Sequence, residues 1–223
     1  MRDRCPPCLC FPHCFSPAPP DGRQPGYVSE VSVFGWFTST SSPICHSCRA
    51  VPVQRRWLRM SPERLVCQLP LLGCVLYVPA RPTALATESC ISGVLLAHRE
   101  LAPLLLTQSL GAASAITEDG PREWLECLDD QGQLHARLHL LPDTDYLAWD
   151  ALLQMADMEA PTMQLHGYRN FQPGEARLVS FRHRELAGLS VLEAAQPQAI
   201  SNLGRQIAKR ITQAEAIVLQ GVA

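Results

Sequence analysis

The chain has 223 residues, of which 47% are hydrophobic, so it can bury one medium-sized core or two small ones. Its formal net charge of -2 gives no electrostatic reason to expect nucleic acid or an anionic membrane as a partner. The apolar run at residues 69–78 is too short to span a bilayer, and the run at residues 91–110 is interrupted by charged residues, so we expect no membrane insertion.

Residues 1–59 are rich in Pro, Ser, Cys and Arg and show neither helical nor alternating periodicity. We expect a disordered extension, or an upstream region included by an incorrect start assignment, with Met60 as the natural beginning. The Cys-x-x-Cys pairs at residues 5–8 and 45–48 have the spacing of a four-thiolate zinc site, which is the alternative. The predicted functional domain comprises residues 60–223.

The cysteines of the predicted domain stand singly among apolar neighbours, where free cysteine behaves as a small hydrophobe. This pattern favours a reducing, cytoplasmic compartment over a secreted disulfide framework. The alternative is secretion, because residues 60–86 contain an apolar stretch and a tetrad, residues 71–74, that loosely resembles a lipoprotein cleavage site. The four cysteines are Cys67, Cys74, Cys90 and Cys127.

Leucines at close to helical spacing predict a helix or helix pair over residues 92–109, with a break at Pro103. Gly111 then stands where a helix C-cap belongs, and residues 112–116 are short enough for a strand.

The strongest local pattern is a predicted antiparallel hairpin over residues 123–141, with a turn at residues 129–132 that ends on glycine. In its second strand, four apolar residues alternate with three polar ones, so the apolar face is expected to be buried and the polar face to meet water or a flat anionic ligand. The apolar residues are Leu134, Ala136, Leu138 and Leu140, and the polar residues are His135, Arg137 and His139. The two histidines are about 13 Å apart on a strand, too far to share a metal.

Later elements complete an α+β prediction, an antiparallel sheet with packed helices. A helix followed by a strand occurs near residues 93–117 and again near 198–220, which indicates a duplicated unit whose second copy is truncated. The elements after the hairpin are a capping turn at residues 142–145, a helix from residue 146, a loop at 159–175, a strand at 177–181, a helix at 197–214 and a strand at 216–220.

Three motifs resemble the cytoplasmic haem-utilisation proteins, the haemin-degrading-factor family that includes HemS- and ChuX-like proteins. Residues 101–116 are similar to the family's helix, glycine and short strand. Residues 124–132, Trp-Leu-Glu-Cys-Leu-Asp-Asp-Gln-Gly, are similar to its Leu-x-Phe-Phe-Asp-x-x-Gly hairpin. Residues 144–153 are similar to its Thr-Asp-x-x-Ala-Trp-x-Ala-Leu helix.

The resemblance implies a layered α+β fold that binds haem, with an axial histidine shortly after the helix that follows the hairpin. His166 occupies the matching position in this chain. At the place of the family's Arg-Asn pair the chain has residues 117–119, Thr-Glu-Asp, whose acidic groups would repel haem propionates. The residues expected to complete a haem pocket around His166 are Tyr168, Phe171, Arg169, Arg177 and Arg182.

These observations predict a haem-binding or haem-trafficking protein of haem iron utilisation, not an enzyme. No catalytic motif is readable, and the clustered carboxylates stand in predicted turns, where they would serve as caps. Two alternatives remain open: a haem-degrading, oxygenase-like enzyme on the same fold, and an interaction or regulatory domain that binds no ligand. Haem is the expected partner, and a homodimer is left open.

Overall fold

The computed structural model describes residues 52–81, 94–118, 120–158 and 171–221, which form a mixed ten-stranded sheet with four α-helices. The strands are β1 (Val53–Arg59), β2 (Gly73–Pro79), β3 (Val94–Leu96), β4 (Ser109–Thr117), β5 (Gly120–Leu128), β6 (Leu134–Thr144), β7 (Asp157–Met158), β8 (Ala176–Leu186), β9 (Leu189–Ala195) and β10 (Leu219–Gln220). The helices are α1 (Pro62–Gln68), α2 (Ala102–Leu105), α3 (Tyr146–Met155) and α4 (Asn202–Ala214).

The strand order is β3-β9-β8-β2-β6-β5-β4-β1-β7, and β10 pairs with the start of β8. The β3–β9 and β8–β10 pairs are parallel, and the other neighbours are antiparallel. The predicted α+β class is therefore confirmed, but this topology does not show the predicted duplication. Among the described residues, no helix is long and apolar enough to cross a membrane.

Helices cover both faces of the sheet. The first face, defined by Val75 and Tyr77 of β2, packs against α1, α2 and α3. The second face, defined by Leu76 and Val78, packs against α4. Since β2 lies between covered faces, it is apolar at nearly every position, which is typical of a central strand.

The β5–β6 hairpin is confirmed, with Cys127 opposite Ala136 and Leu125 opposite Leu138. Its turn ends at Gly132, whose φ of 72° lies in the left-handed region that glycine adopts without strain. Asp129 Oδ1 stabilises this turn by accepting hydrogen bonds from the N–H groups of Gln131 and Gln133. The four alternating apolar residues of β6 are buried as predicted.

A carboxylate caps α3, as predicted, and a hydroxyl caps α4, which begins five residues after the predicted start at residue 197. Asp145 accepts hydrogen bonds from two N–H groups in the first turn of α3. Ser201 caps α4, and the Asp143 carboxylate in turn accepts from the N–H and hydroxyl of Ser201. Gly204 of α4 lies so close to Asp143 that a Cβ there would overlap the carboxylate. Asp143 therefore fixes where α4 begins on the second face.

The helix predicted over residues 92–109 is wrong. Its described part contains β3, a 3-10 turn at Arg99–Leu101 and the four-residue α2. Gly111 is not a helix cap either, because it lies within β4. A Cβ at Gly111 would stand 2.8 Å from Cζ3 of Trp57, so the indole of β1 takes the space of a side chain.

The predicted start of the domain at Met60 is also wrong. The seven residues before it, Val53–Arg59, form β1 and belong to the sheet. This strand pairs with β4 along its whole length, and Leu58 is fully buried in the core of the first face. Residues 1–51, including the proposed zinc cysteines, lie outside the described residues. Their assignment to an extension stays a prediction.

Candidate functional site

A polar cluster lies on the second face where β1, β4, β5 and β6 run side by side. The register places Trp57, Gly111, Glu126 and Arg137 in one row across these strands. The adjacent row contains Arg55, Ala113, Trp124 and His139. We call Arg55, Trp124, Glu126, Arg137 and His139, together with Phe171 and Glu215 that contact them, the second-face cluster.

Glu126 is the buried centre of this cluster, with no solvent-exposed surface. Its Oε1 accepts a hydrogen bond of 2.8 Å from Trp124 Nε1, and its Oε2 accepts one of 3.1 Å from Arg55 Nε. Arg137 Nε lies 3.9 Å from Oε1 on the other side. Burying a carboxylate is costly unless it is paired, and the indole N–H and the two arginines supply its partners.

Arg137 connects the sheet to the end of α4. Its Nη1 donates a hydrogen bond of 3.0 Å to Oε2 of Glu215, the residue that follows the helix. Its guanidinium carbon lies 4.8 Å from the centroid of the Phe171 ring, in the geometry of a cation–π contact. Burial raises the pKa of Glu215 above its ordinary value, and the neighbouring Arg137 acts against that shift. The charged form of Glu215 is thus the poorly solvated one.

His139 is 4% exposed, and its ring stacks on Trp124 with 5.9 Å between centroids and 30° between planes. Burial lowers the pKa of His139 to about 3, and the nearby Arg137 adds to the shift. The imidazole is therefore neutral at physiological pH. Its Nε2 has no hydrogen-bond partner among the described residues, and Oε1 of Glu215 lies 3.6 Å away.

The polar face of β6 was expected to meet water or a flat anionic ligand; contact with water is wrong for His139, which is buried, and only partial for Arg137, whose side chain is 19% exposed. The end of α4 and Phe171 cover them, and neither element is recognisable as a neighbour of β6 from local sequence. His135 is separate from both, because its Nε2 lies 2.8 Å from Oδ2 of Asp129 in the hairpin turn. The three residues do share one strand face, as predicted, but only Arg137 and His139 belong to the cluster.

The predicted haem ligands are only partly described. His166, Tyr168 and Arg169 lie outside the described residues. Arg177 is on the first face and forms an ion pair with Glu100. Arg182 is exposed and five positions further along β8, so strand alternation directs it to the second face. The structure therefore does not bring these two arginines together.

Three of the carboxylates predicted to lie in turns accept local or capping hydrogen bonds: Asp129 in the hairpin turn, Asp145 at the start of α3, and Asp143, at the end of β6, from Ser201. In the part of the chain that the structure describes, no group of three His, Cys, Asp or Glu residues could hold a metal ion.

An open cavity of about 640 Å³ lies beside α1 and α2, and Glu63, Asp129 and Asp130 contribute to its lining. Its acidic lining would repel an anionic ligand such as haem.

Part of the second-face cluster was recognisable from sequence. In β5, Trp124 and Glu126 alternate with the apolar Leu125 and Cys127, which places them on the same face as Arg137 of the facing strand. This alternation is visible in the local sequence alone. Phe171 was expected near His166, but its contact with Arg137 had no local signal, and neither did that of Glu215, because both reach the cluster through long-range packing.

Comparisons with known proteins add one structural similarity. No protein family and no curated protein sequence matches the chain. Among solved structures, the chain is similar to the haem-degrading enzyme ChuS of Escherichia coli O157:H7, at 13% sequence identity and a TM-score of 0.34. The match covers 50% of this chain and 37% of that enzyme. At this TM-score the similarity carries no argument about this chain.

Proposed function

We propose that this protein binds and carries haem, with the second-face cluster as the floor of the haem site. The supporting observation is the cluster's composition: aromatic rings and two arginines on one sheet face, with the carboxylates of Glu126 and Glu215 between them. Haem requires an apolar surface for its macrocycle, cationic groups for its propionates and a nitrogen ligand for iron. In this proposal Trp124 and Phe171 contact the macrocycle, and Arg55 and Arg137 bind the propionates.

His166 remains the proposed iron ligand, because the family resemblance places it at that position. Phe171 supports this choice, because it follows His166 by five residues. The Cα atoms of His166 and Phe171 can therefore be at most about 18 Å apart. Phe171 contacts Arg137 of the second-face cluster, so the chain reaches this cluster five residues after His166. In this proposal Tyr168 and Arg169 complete the pocket. Arg177 is paired on the opposite face, so the cluster arginines take its place in the proposal.

Glu215 is the group that a propionate would replace on Arg137. Burial disfavours its charged form, as its raised pKa indicates, so it is a weak competitor for the arginine. Glutamine at position 215 would keep a hydrogen-bond acceptor for Arg137 and remove the competing charge. We therefore expect Glu215→Gln to bind haem more tightly than the wild-type chain.

The deciding experiment is a haem titration of the full chain, followed by absorption in the Soret region. We expect a defined Soret band at one haem per chain, which His166→Ala shifts or abolishes with at least about a tenfold loss of affinity. His98→Ala is the matched control, because His98 is exposed. A wild-type chain with no defined Soret band would refute the proposal. If the Soret band of His166→Ala is unchanged, the proposal of haem binding stands, but His166 is not the iron ligand.

Haem degradation is the second candidate, since it shares the binding step. Incubating the haem complex with a reductant and oxygen separates the two activities. A carrier is expected to keep its Soret band, whereas a degrading enzyme converts haem to an open-ring product with loss of that band.

A further inference from the structure

A serine and a histidine form a hydrogen-bonded pair on the β8–β9 hairpin, away from the second-face cluster. Ser190 Oγ lies 3.1 Å from Nδ1 of His183, and Nε2 of His183 lies 3.2 Å from the backbone oxygen of Val66 in α1. His183 follows Phe181 by two positions in β8, so it is on the first face with α1. Both Ser190 and His183 are exposed.

The contact with Val66 decides which nitrogen of His183 carries the proton. A carbonyl oxygen can only accept a hydrogen bond, so Nε2 must be the protonated nitrogen. In the neutral imidazole the lone pair is then on Nδ1, and the hydroxyl of Ser190 must donate to it. The arrangement is a nucleophile, a base within hydrogen-bond reach, and a third group that orients the base.

We propose that Ser190 is a nucleophile, activated by His183, that attacks small carboxylic esters. The Oγ atom forms a bond to the acyl carbon while its proton passes to Nδ1 of His183. The bond from the acyl carbon to the leaving oxygen then breaks, and His183 returns the proton to that oxygen. A water molecule then bonds to the acyl carbon while its proton passes to Nδ1 of His183. The bond from the acyl carbon to Oγ breaks, the acid leaves, and His183 returns the proton to Oγ of Ser190. The Val66 carbonyl positions the ring and takes no part in proton transfer.

Esters are the fitting substrate class because their leaving oxygen departs more readily than an amide nitrogen. General-base assistance alone accelerates a reaction by roughly 10²- to 10⁴-fold. The same step predicts reaction with a fluorophosphonate, in which the Oγ–P bond forms, the P–F bond breaks and fluoride leaves. A fluorophosphonate therefore reports the nucleophile without any knowledge of the natural ester.

The test is fluorophosphonate labelling of the full chain with mapping of the modified residue, together with hydrolysis of p-nitrophenyl acetate. We expect labelling at Ser190, no labelling in Ser190→Ala, and at least about a 100-fold slower rate in His183→Gln. Glutamine keeps an N–H donor for the Val66 carbonyl but cannot accept a proton, so it separates base function from the docking of the hairpin on α1. His98→Ala should label at the wild-type rate.

Two outcomes would overturn the proposal. One is a wild-type chain that is not labelled at Ser190. The other is a His183→Gln variant that reacts as fast as the wild-type chain, which would leave the pair a structural contact between hairpin and helix. Added imidazole should restore part of the reactivity of His183→Ala. The thermal stability of each variant, measured in parallel, distinguishes loss of the base from loss of the fold.

Discussion

Glutamine at position 126 would keep the size of the buried side chain and remove its negative charge. Glu126 has no exposed surface and lies between Arg55 and Arg137, whose side chains are 28% and 19% exposed. Removing one partner of a buried ion pair typically costs about 3–5 kcal/mol, because the remaining charge is left without compensation. Both arginines reach some solvent and Arg137 keeps Glu215, so we expect the lower end, about 3 kcal/mol.

Urea denaturation followed by tryptophan fluorescence measures this loss of unfolding free energy. For a chain of this size, about 3 kcal/mol corresponds to a melting temperature lower by roughly 6–12 °C. Glu123→Gln is the matched control, because Glu123 is exposed on the same strand, and such a surface change should stay within about 0.5 kcal/mol.

A loss below about 1 kcal/mol for Glu126→Gln would refute the charge-balance argument. It would mean that a neutral hydrogen-bond acceptor at this position serves the two arginines as well as a carboxylate does. The double variant Arg55→Met, Glu126→Gln adds a second check. The two changes should be non-additive, because they remove the same contact of 3.1 Å.

Two other predictions follow from the same strand. Leu138→Asp should destabilise the chain by about 3 kcal/mol or more, because it buries an unpaired carboxylate. Arg137→Asp should also be destabilising, since it places a third carboxylate beside Glu126 and Glu215. An Arg137→Asp variant as stable as the wild-type chain would contradict the observed burial of this site. Because burial lowers the pKa of His139 to about 3, the unfolded chain takes up that proton first on acidification. The free energy of unfolding should therefore fall by up to about 1.4 kcal/mol per pH unit from about pH 6 to pH 4, and His139→Leu, measured by urea titration at each pH, should lose that part of the slope.

Local patterns in the sequence determined the hairpin and the two longer helices. Alternation in β6 assigned Leu138 to the core and Arg137 to the other face, and both assignments hold. Asp145 stands where a helix cap belongs, and α3 begins directly after it. The last helix was predicted from residue 197, but α4 begins at Asn202, directly after its cap Ser201. These features could be predicted because each depends on residues within a few positions along the chain.

Tertiary structure alone determined the secondary structure of the described residues between 94 and 111. The leucine spacing there is compatible with a helix, but Leu95 and Leu96 pair in parallel with β9, nearly a hundred residues later. Gly111 is typical of a helix end, but it lies in β4 because the Trp57 indole of β1 occupies the space beside it. Strand pairing between distant segments overrides local preference at such positions.

The candidate site also depends partly on local sequence and partly on tertiary packing. Alternation placed Arg137 and His139 on one face, but whether that face meets water depends on what packs against it. Glu215 at the end of α4 and Phe171 cover it, and they come from segments that are far away in sequence. That cover turns a polar strand face into a cluster of buried charges and a neutral histidine, because burial removes the water that would otherwise solvate them.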